Sequence, residues 1–139
     1  MTAGQPSPAA ATVADVMRPP VTTVDQEDHA AAAAYLMKHA DASALMVLDV
    51  NTDQPIGIIT EADIAHAVAD KKDLDSTRIR DLMTTRPTVI SAETSIRDAA
   101  DLMVRGRFRH LPVVGDAGLI GMVDVNDVCR ALIDLPPAG

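Results

Sequence analysis

The sequence repeats one pattern, and this duplication limits the possible folds more than any other feature. Each copy opens with an Asp-hydrophobic-Met triplet, at Asp15–Met17 and at Asp81–Met83. Each continues with an Ala-Ala-x-Leu-Met stretch that ends at Met37 or Met103, which are 66 residues apart. A copy this short makes only a marginal core alone, so the two apolar faces are expected to pack together. We therefore expect one pseudo-symmetric body with a cleft between its halves.

A third landmark repeats with a slightly different spacing. Gly57–Asp63 reads Gly-Ile-Ile-Thr-Glu-Ala-Asp, and Gly121–Asp127 reads Gly-Met-Val-Asp-Val-Asn-Asp, 64 residues later. The first copy thus has two extra residues, most simply in the turn Asn51–Pro55. Both runs carry polar residues at equivalent positions, which makes them the best pointers to a functional site.

Composition excludes several function classes. The formal net charge is −8 and the 12 Lys and Arg residues are spread thinly, whereas a nucleic-acid surface needs clustered cations. Tyr35 and Phe108 are the only aromatic residues, so the core must be aliphatic. No run approaches the length of a membrane span and no signal-peptide pattern begins the chain, so we expect a cytoplasmic protein without membrane contact. Cys129 has no disulfide partner in the chain, and its apolar helical surroundings predict a buried thiol.

Local patterns predict the order helix, strand, helix, strand, strand, helix in each copy. The first predicted helix opens at Thr12, Ala14 and Asp15 and is stopped by Pro19 and Pro20. The other predicted helices are His29–His39, Glu61–Ala69, Arg78–Met83, Ile96–Arg105 and Val125–Asp134. The predicted strands are Val21–Val24, Ala44–Asp49, Ile56–Thr60, Thr88–Ile90, Leu111–Val114 and Leu119–Asp124. Asp28 is a candidate N-cap in the first copy, and Thr94 or Ser95 in the second. The resulting division is a disordered tail at 1–11, repeats at 12–70 and 79–134, a linker at 71–78 and a second tail at 135–139.

These elements and motifs resemble a tandem pair of cystathionine β-synthase (CBS) domains, also called a Bateman module, here as a stand-alone protein. The resemblance rests on Arg109–Val114, Gly57–Asp63 and Gly121–Asp127, and it extends from about Val13 to Ile133. It implies an α/β fold in which two pseudo-symmetric β-α-β-β-α repeats pack as one CBS pair. It also implies a regulatory protein that forms homodimers.

Thr60 and Asp63 allow two interpretations. A carboxylate at the turn from strand to helix can accept hydrogen bonds from a ribose diol, and helix N–H groups can hold phosphate. Alternatively, Thr60 caps the helix and Asp63 favours its dipole. The resemblance favours ligand binding, because the matching Asp of CBS modules commonly contacts adenosine ribose.

By the same resemblance, each cleft combines parts of both repeats. One would pair Thr60 and Asp63 with Thr84–Ile90, which contains Thr88 and Val89. The other would pair Asp124 and Asp127 with Met17–Val24, which contains Thr22 and Thr23. Arg109 and His110 lie where family members often contact phosphate. The second cleft departs from the pattern because Asp124 replaces the usual Thr or Ser, so its two carboxylates would weaken phosphate binding or require Mg²⁺.

Metal and catalytic chemistry find little support in the sequence. The four histidines, His29, His39, His66 and His110, lack the spacing of a zinc site. No Gly-x-Ser-x-Gly motif is present, and Cys129 lies within a helix. We expect neither an enzyme nor a required cofactor.

Two functional hypotheses remain open. In the first, an adenosine-containing ligand such as AMP, ADP, ATP or S-adenosylmethionine, with or without Mg²⁺, binds between the repeats and acts through dimer geometry or a separate, unknown protein partner. In the second, the pair is a dimerisation or interaction scaffold without nucleotide binding. Aspartates at both strand-to-helix turns, Asp63 and Asp127, favour sensing, because a scaffold does not need them.

Overall fold

The computed structural model describes residues 12–19, 23–52 and 54–134. A single 3₁₀ turn at Val13–Asp15 comes first. The first repeat then comprises β1 (Thr23–Val24), α1 (Ala30–Ala40), β2 (Ala44–Leu48), β3 (Pro55–Thr60) and α2 (Glu61–Ala69). After α3 (Ile79–Leu82) and β4 (Thr84–Thr85), the second comprises β5 (Ile90–Ser91), α4 (Ile96–Gly106), β6 (His110–Gly115), β7 (Gly118–Asp124) and α5 (Val125–Asp134). The predicted α/β fold with two pseudo-symmetric repeats is confirmed.

The two sheets have equivalent topologies. In the first, the order is β1-β2-β3-β4, with β1 parallel to β2 and the other pairs antiparallel. In the second, β5-β6-β7 repeats the first three strands, and Arg18 forms an antiparallel bridge with Met122 of β7. Thr84 of β4 pairs with Ile58 of β3 in the same way. Arg18 and Thr84 are therefore structural counterparts.

The segment that precedes each repeat packs against the other repeat. Val13 is fully buried in the core of the second repeat, and its N–H donates to the carbonyl of Thr94 at 2.8 Å. Ile79 is fully buried in the core of the first repeat, and its N–H donates to the carbonyl of Asp28 at 2.8 Å. This exchange ties the halves into one body.

A further apolar layer lies between the sheets. Strand β2 is buried on both faces, which explains its continuous apolar sequence. Leu45 and Val47 pack towards the helices of the first repeat, while Met46 lies in a cluster that Leu119 and Met122 of the second repeat complete. Aliphatic side chains thus join the repeats, as the composition predicts.

Some local predictions are wrong. The strand expected at Thr88–Ile90 is Ile90–Ser91 in the structure, and β4 was not predicted. His29, not Asp28, is the N-cap of α1, and no side chain caps this helix. Its N–H groups at Ala30 and Ala31 instead donate to backbone carbonyls of the linker, at Thr77 and Leu74. Cys129 is exposed, because α5 buries Asp127, Val128 and Ala131 and the thiol lies on another face.

Candidate functional site

Thr60 and Asp63 form a reciprocal cap at the start of α2. The Asp63 N–H donates to Thr60 Oγ1 at 3.2 Å. Asp63 Oδ2 accepts from the Thr60 N–H at 2.9 Å and from its hydroxyl at 3.1 Å. The capping interpretation is therefore correct. It is compatible with the ligand-binding interpretation, because Asp63 Oδ1 accepts no hydrogen bond from the described part of the chain.

Beside this cap lies the first cleft, a cavity of about 710 Å³. One wall is the end of β3 and the start of α2, with Thr60 and Glu61. Strand β4 and the segment after it supply the second wall, and the approach to β6 supplies the third. Among their lining residues are Thr84, Pro87, Thr88, Arg107, Phe108 and Arg109. Both repeats thus build the cleft.

Charge in the first cleft is mixed. Arg107 and Arg109 line it and form no ion pair within the described ranges. Glu61 and Asp124 line it as well. The α2 N-terminus adds partial positive charge at the Thr60 side. Such an arrangement suits a ligand with an anionic group at one end.

His110 separates the first cleft from a second one. It lines both cavities and lies opposite Asp124 in the β6–β7 hairpin. Its Nε2 is 2.7 Å from Ser43 Oγ, a hydrogen bond that joins the repeats. Burial lowers the pKa of His110 and Arg109 lowers it further, while Asp124 and Glu61 oppose the shift. The imidazole is therefore biased towards its neutral form.

The second cleft is much smaller, about 120 Å³, and an ion pair lies in it. Asp124 caps α5 by accepting the Asp127 N–H at 2.8 Å, and Asp127 Oδ2 accepts the Asp124 N–H at 3.1 Å. Asp127 Oδ1 accepts from Arg18 Nε at 3.1 Å and from Nη2 at 2.7 Å. This contact raises the pKa of Arg18 above its usual value. Arg18 thus supplies the positive charge for which the sequence suggested Mg²⁺.

The predicted site residues occupy different parts of the molecule. Thr60, Thr88, Arg109 and His110 line the first cleft, and Asp127 lines the second together with His110. Asp63 is hydrogen-bonded to Thr60 but is not among the residues that line the first cleft. Neither Val89 nor Thr23 lines a cleft. Val89 is exposed next to Thr88, and Thr23 of β1 pairs with Met46 of β2. Thr22 lies outside the described residues. A ligand role for each remains a prediction.

Sequence reasoning missed Arg18, although it included the segment that contains it. The sequence signal that could have identified Arg18 is the arginine at this position of the first repeat, where the second repeat has Thr84. It also missed the Ser43–His110 contact, for which no local pattern exists because 67 positions separate the two residues.

Other site classes find no support in the described ranges. No three His, Cys, Asp or Glu side chains there converge as a metal site requires. None of the helices described is both long and apolar enough to cross a membrane.

Comparisons with known proteins identify relatives over most of the chain. The model of the CBS domain matches residues 13–70 and 79–134. An uncharacterised 17.7 kDa protein of Acidianus ambivalens is 37% identical over 130 residues, which is 93% of this chain and 73% of that protein.

Solved structures agree with the sequence match. CBSX2, whose crystal structure is a complex with AMP, superposes with a TM-score of 0.72 at 30% identity, over 88% of this chain and 96% of that one. The hexameric CBS-CP12 protein from bloom-forming cyanobacteria superposes with a TM-score of 0.81 at 28% identity, over 88% of this chain and 68% of that one.

Proposed function

This chain belongs to the CBS domain family as a tandem pair, a regulatory and not a catalytic kind of module, and we propose that it senses an adenosine-containing nucleotide in the first cleft. The observation that carries the proposal is the open cavity of about 710 Å³ between the α2 N-terminus and two arginines without ion-pair partners in the described ranges. The AMP complex of CBSX2 supports the ligand class.

The cleft offers a distinct contact to each part of such a ligand. Asp63 does not itself line the cleft, but it is bonded to Thr60, which does, and its Oδ1 would accept from a ribose hydroxyl that reaches past Thr60. Arg107 and Arg109 suit a phosphate, because guanidinium groups bind it with two hydrogen bonds. Pro87 and Thr88 can contact the adenine face and edge. Phosphate number and any need for Mg²⁺ depend on how far Glu61 and Asp124 oppose additional negative charge.

Nucleotide binding can transmit a signal if the nucleotide binds one arrangement of a dimer or complex more tightly than another. Large apolar side chains are exposed on four helices, which makes them candidate homodimer surfaces: Tyr35 on α1 at 62%, Val68 on α2 at 58%, Val104 on α4 at 78% and Ile133 on α5 at 81%. We propose that nucleotide binding alters the geometry of this dimer or its contact with a separate protein.

The scaffold is the second candidate, and the second cleft favours it. That cleft has a volume of only about 120 Å³ and is lined by the chain's own ion pair, which argues against a nucleotide at one of the two equivalent positions. If the first cleft also bound nothing, dimerisation or docking would be the remaining role.

The test measures thermal unfolding and calorimetric binding with AMP, ADP, ATP and S-adenosylmethionine, with and without Mg²⁺. At a hundredfold its Kd, a ligand stabilises the folded state by about 2.7 kcal/mol. Arg109→Ala should weaken binding of a phosphorylated ligand about tenfold or more, since a charged hydrogen bond contributes about 1.5–3 kcal/mol. Sedimentation with and without ligand reports on the dimer.

Arg105→Ala is the matched control. Arg105 belongs to the same basic stretch, but it pairs with Asp101 at 2.8 Å on α4 and does not line the cleft. Its loss should leave the Kd unchanged. No stabilisation by any compound of the panel would refute nucleotide sensing by this set and leave the scaffold.

A further inference from the structure

One difference between the two clefts lies at the equivalent positions Arg18 and Thr84. Arg18 forms a bridge with Met122 on the edge of the second sheet, as Thr84 pairs with Ile58 on the edge of the first. Thr84 lines the larger cavity and Arg18 lines the smaller one. The longer side chain of Arg18 therefore contributes to the smaller size of the second cavity.

Arg18 uses the acceptor that a ribose would need in the second cleft. Its Nε and Nη2 both donate to Asp127 Oδ1, and the other carboxylate oxygen is occupied by the Asp124 N–H. The Asp127 side chain is 7% exposed. A nearly buried carboxylate loses much stabilisation when it loses its cationic partner, so a ligand that displaces Arg18 must replace that interaction.

We propose that Arg18 is a built-in occupant that holds the second cleft shut, so that each chain binds a single nucleotide, in the first cleft. The inference rests on the proposed function. Without Arg18, Asp124 and Asp127 leave two carboxylates at the site, which repel phosphate. The opened cleft would accept uncharged adenosine, whose ribose hydroxyls can donate to Asp127, and would reject AMP.

The exposed side of Arg18 makes the substitution practical. Its side chain is 61% exposed, and the backbone bonds between Arg18 and Met122, at 2.9 Å each, do not depend on the side chain. Arg18→Thr copies the residue of the first cleft. Arg18→Lys keeps a cation there and serves as the control.

The experiment is calorimetric titration of the full chain with AMP and with adenosine. The wild type and Arg18→Lys should bind one molecule of either ligand per chain. Arg18→Thr should bind one AMP but two adenosines, and a further Asp127→Asn substitution should remove the second adenosine. Two molecules bound by the wild type, or only one adenosine by folded Arg18→Thr, would overturn the inference.

Two further measurements separate its failure from other failures. If the wild type binds neither ligand, the proposed function fails. Closure by Arg18 would still be supported if Arg18→Thr bound one adenosine and lost it with Asp127→Asn.

If Arg18→Thr does not fold, Arg109→Ala combined with Asp63→Asn in the otherwise wild-type chain should abolish all AMP and adenosine binding. Saturable binding that survives there would contradict a shut second cleft.

Discussion

At the scale of single residues, Thr60 and Asp124 both cap a helix, one with a hydroxyl and the other with a carboxylate. Each ends a strand and caps the following helix by accepting an N–H from the Asp three positions later. The hydroxyl of Thr60 adds no charge. The carboxylate of Asp124 adds one beside Asp127, and Arg18 offsets it. The exchange of Thr60 for Asp124 and the exchange of Thr84 for Arg18 thus act together to distinguish the two clefts.

His110 gives the fold a dependence on pH. Its pKa is lowered in the folded protein, mainly by burial and also by Arg109, with Asp124 and Glu61 opposing. In the unfolded chain this histidine titrates near 6.5. As the pH falls through that value, the unfolded state therefore binds more protons than the folded state does. His110 should leave stability unaffected above that range and reduce it below.

The prediction is checked with urea unfolding at pH 8 and pH 5.5, for the wild type and His110→Gln. Gln retains a hydrogen-bonding partner for Ser43 but does not titrate. The wild type should lose more stability on acidification than the variant. An equal loss in both proteins would contradict a contribution of His110 to the pH dependence.

What the sequence could reveal about these residues depended on their separation. The cap of Thr60 and Asp63 is predictable, because both partners lie within one helical turn. Arg18 and Asp127 are 109 positions apart, so no local pattern connects them. Only the comparison of Arg18 with Thr84 contains a hint of their pairing.

At the scale of elements, the segment before the first repeat, with Met17 and Arg18, lies so close to β7 that position 121 must be glycine. A Cβ there would lie 3.0 Å from the carbonyl oxygen of Arg18 and 2.9 Å from Met17 Sδ. Since a backbone atom cannot turn aside, Gly121→Ala should destabilise the protein by about 1–3 kcal/mol.

Chemical denaturation of Gly121→Ala measures this cost, with Gly115→Ala as the control on the same hairpin. At Gly115 the nearest atoms belong to the Ile120 side chain, at 3.3 and 3.5 Å, which can move. We expect the control to lose less stability. Equal losses would indicate a general cost of alanine in this hairpin and not a close approach of the segment.

Helix bounds were predictable where the capping signal is local. Helices α2 and α5 have the predicted bounds, because a capping side chain and a following Asp mark both starts. The start of α1 differs because the linker carbonyls of Thr77 and Leu74, more than 40 positions away, accept its N–H groups. Tertiary contacts replaced the cap that Asp28 was expected to provide.

At the scale of the whole molecule, neither repeat contains its complete core. Val13 completes the second core and Ile79 the first, and both are fully buried. Fragments 1–70 and 71–139 should therefore lack cooperative unfolding alone and regain it when mixed. Circular dichroism during heating of each fragment and of the mixture measures this.

Fragment 1–86 provides the control, because it retains α3 and β4 and with them the first core. It should be more structured than fragment 1–70. A cooperative transition in fragment 1–70 alone would contradict the requirement for Ile79.

The exchanged segments also set an order of events on the ribosome. The first repeat can finish folding once residues up to Thr85 have emerged, because β4 is the last strand of its sheet. Val13 and Arg18 are synthesised early, but they bond to the backbone of Thr94 and of Met122 in β7. This part of the chain must wait until almost all the rest has left the exit tunnel, so the first residues described are among the last to reach their final position.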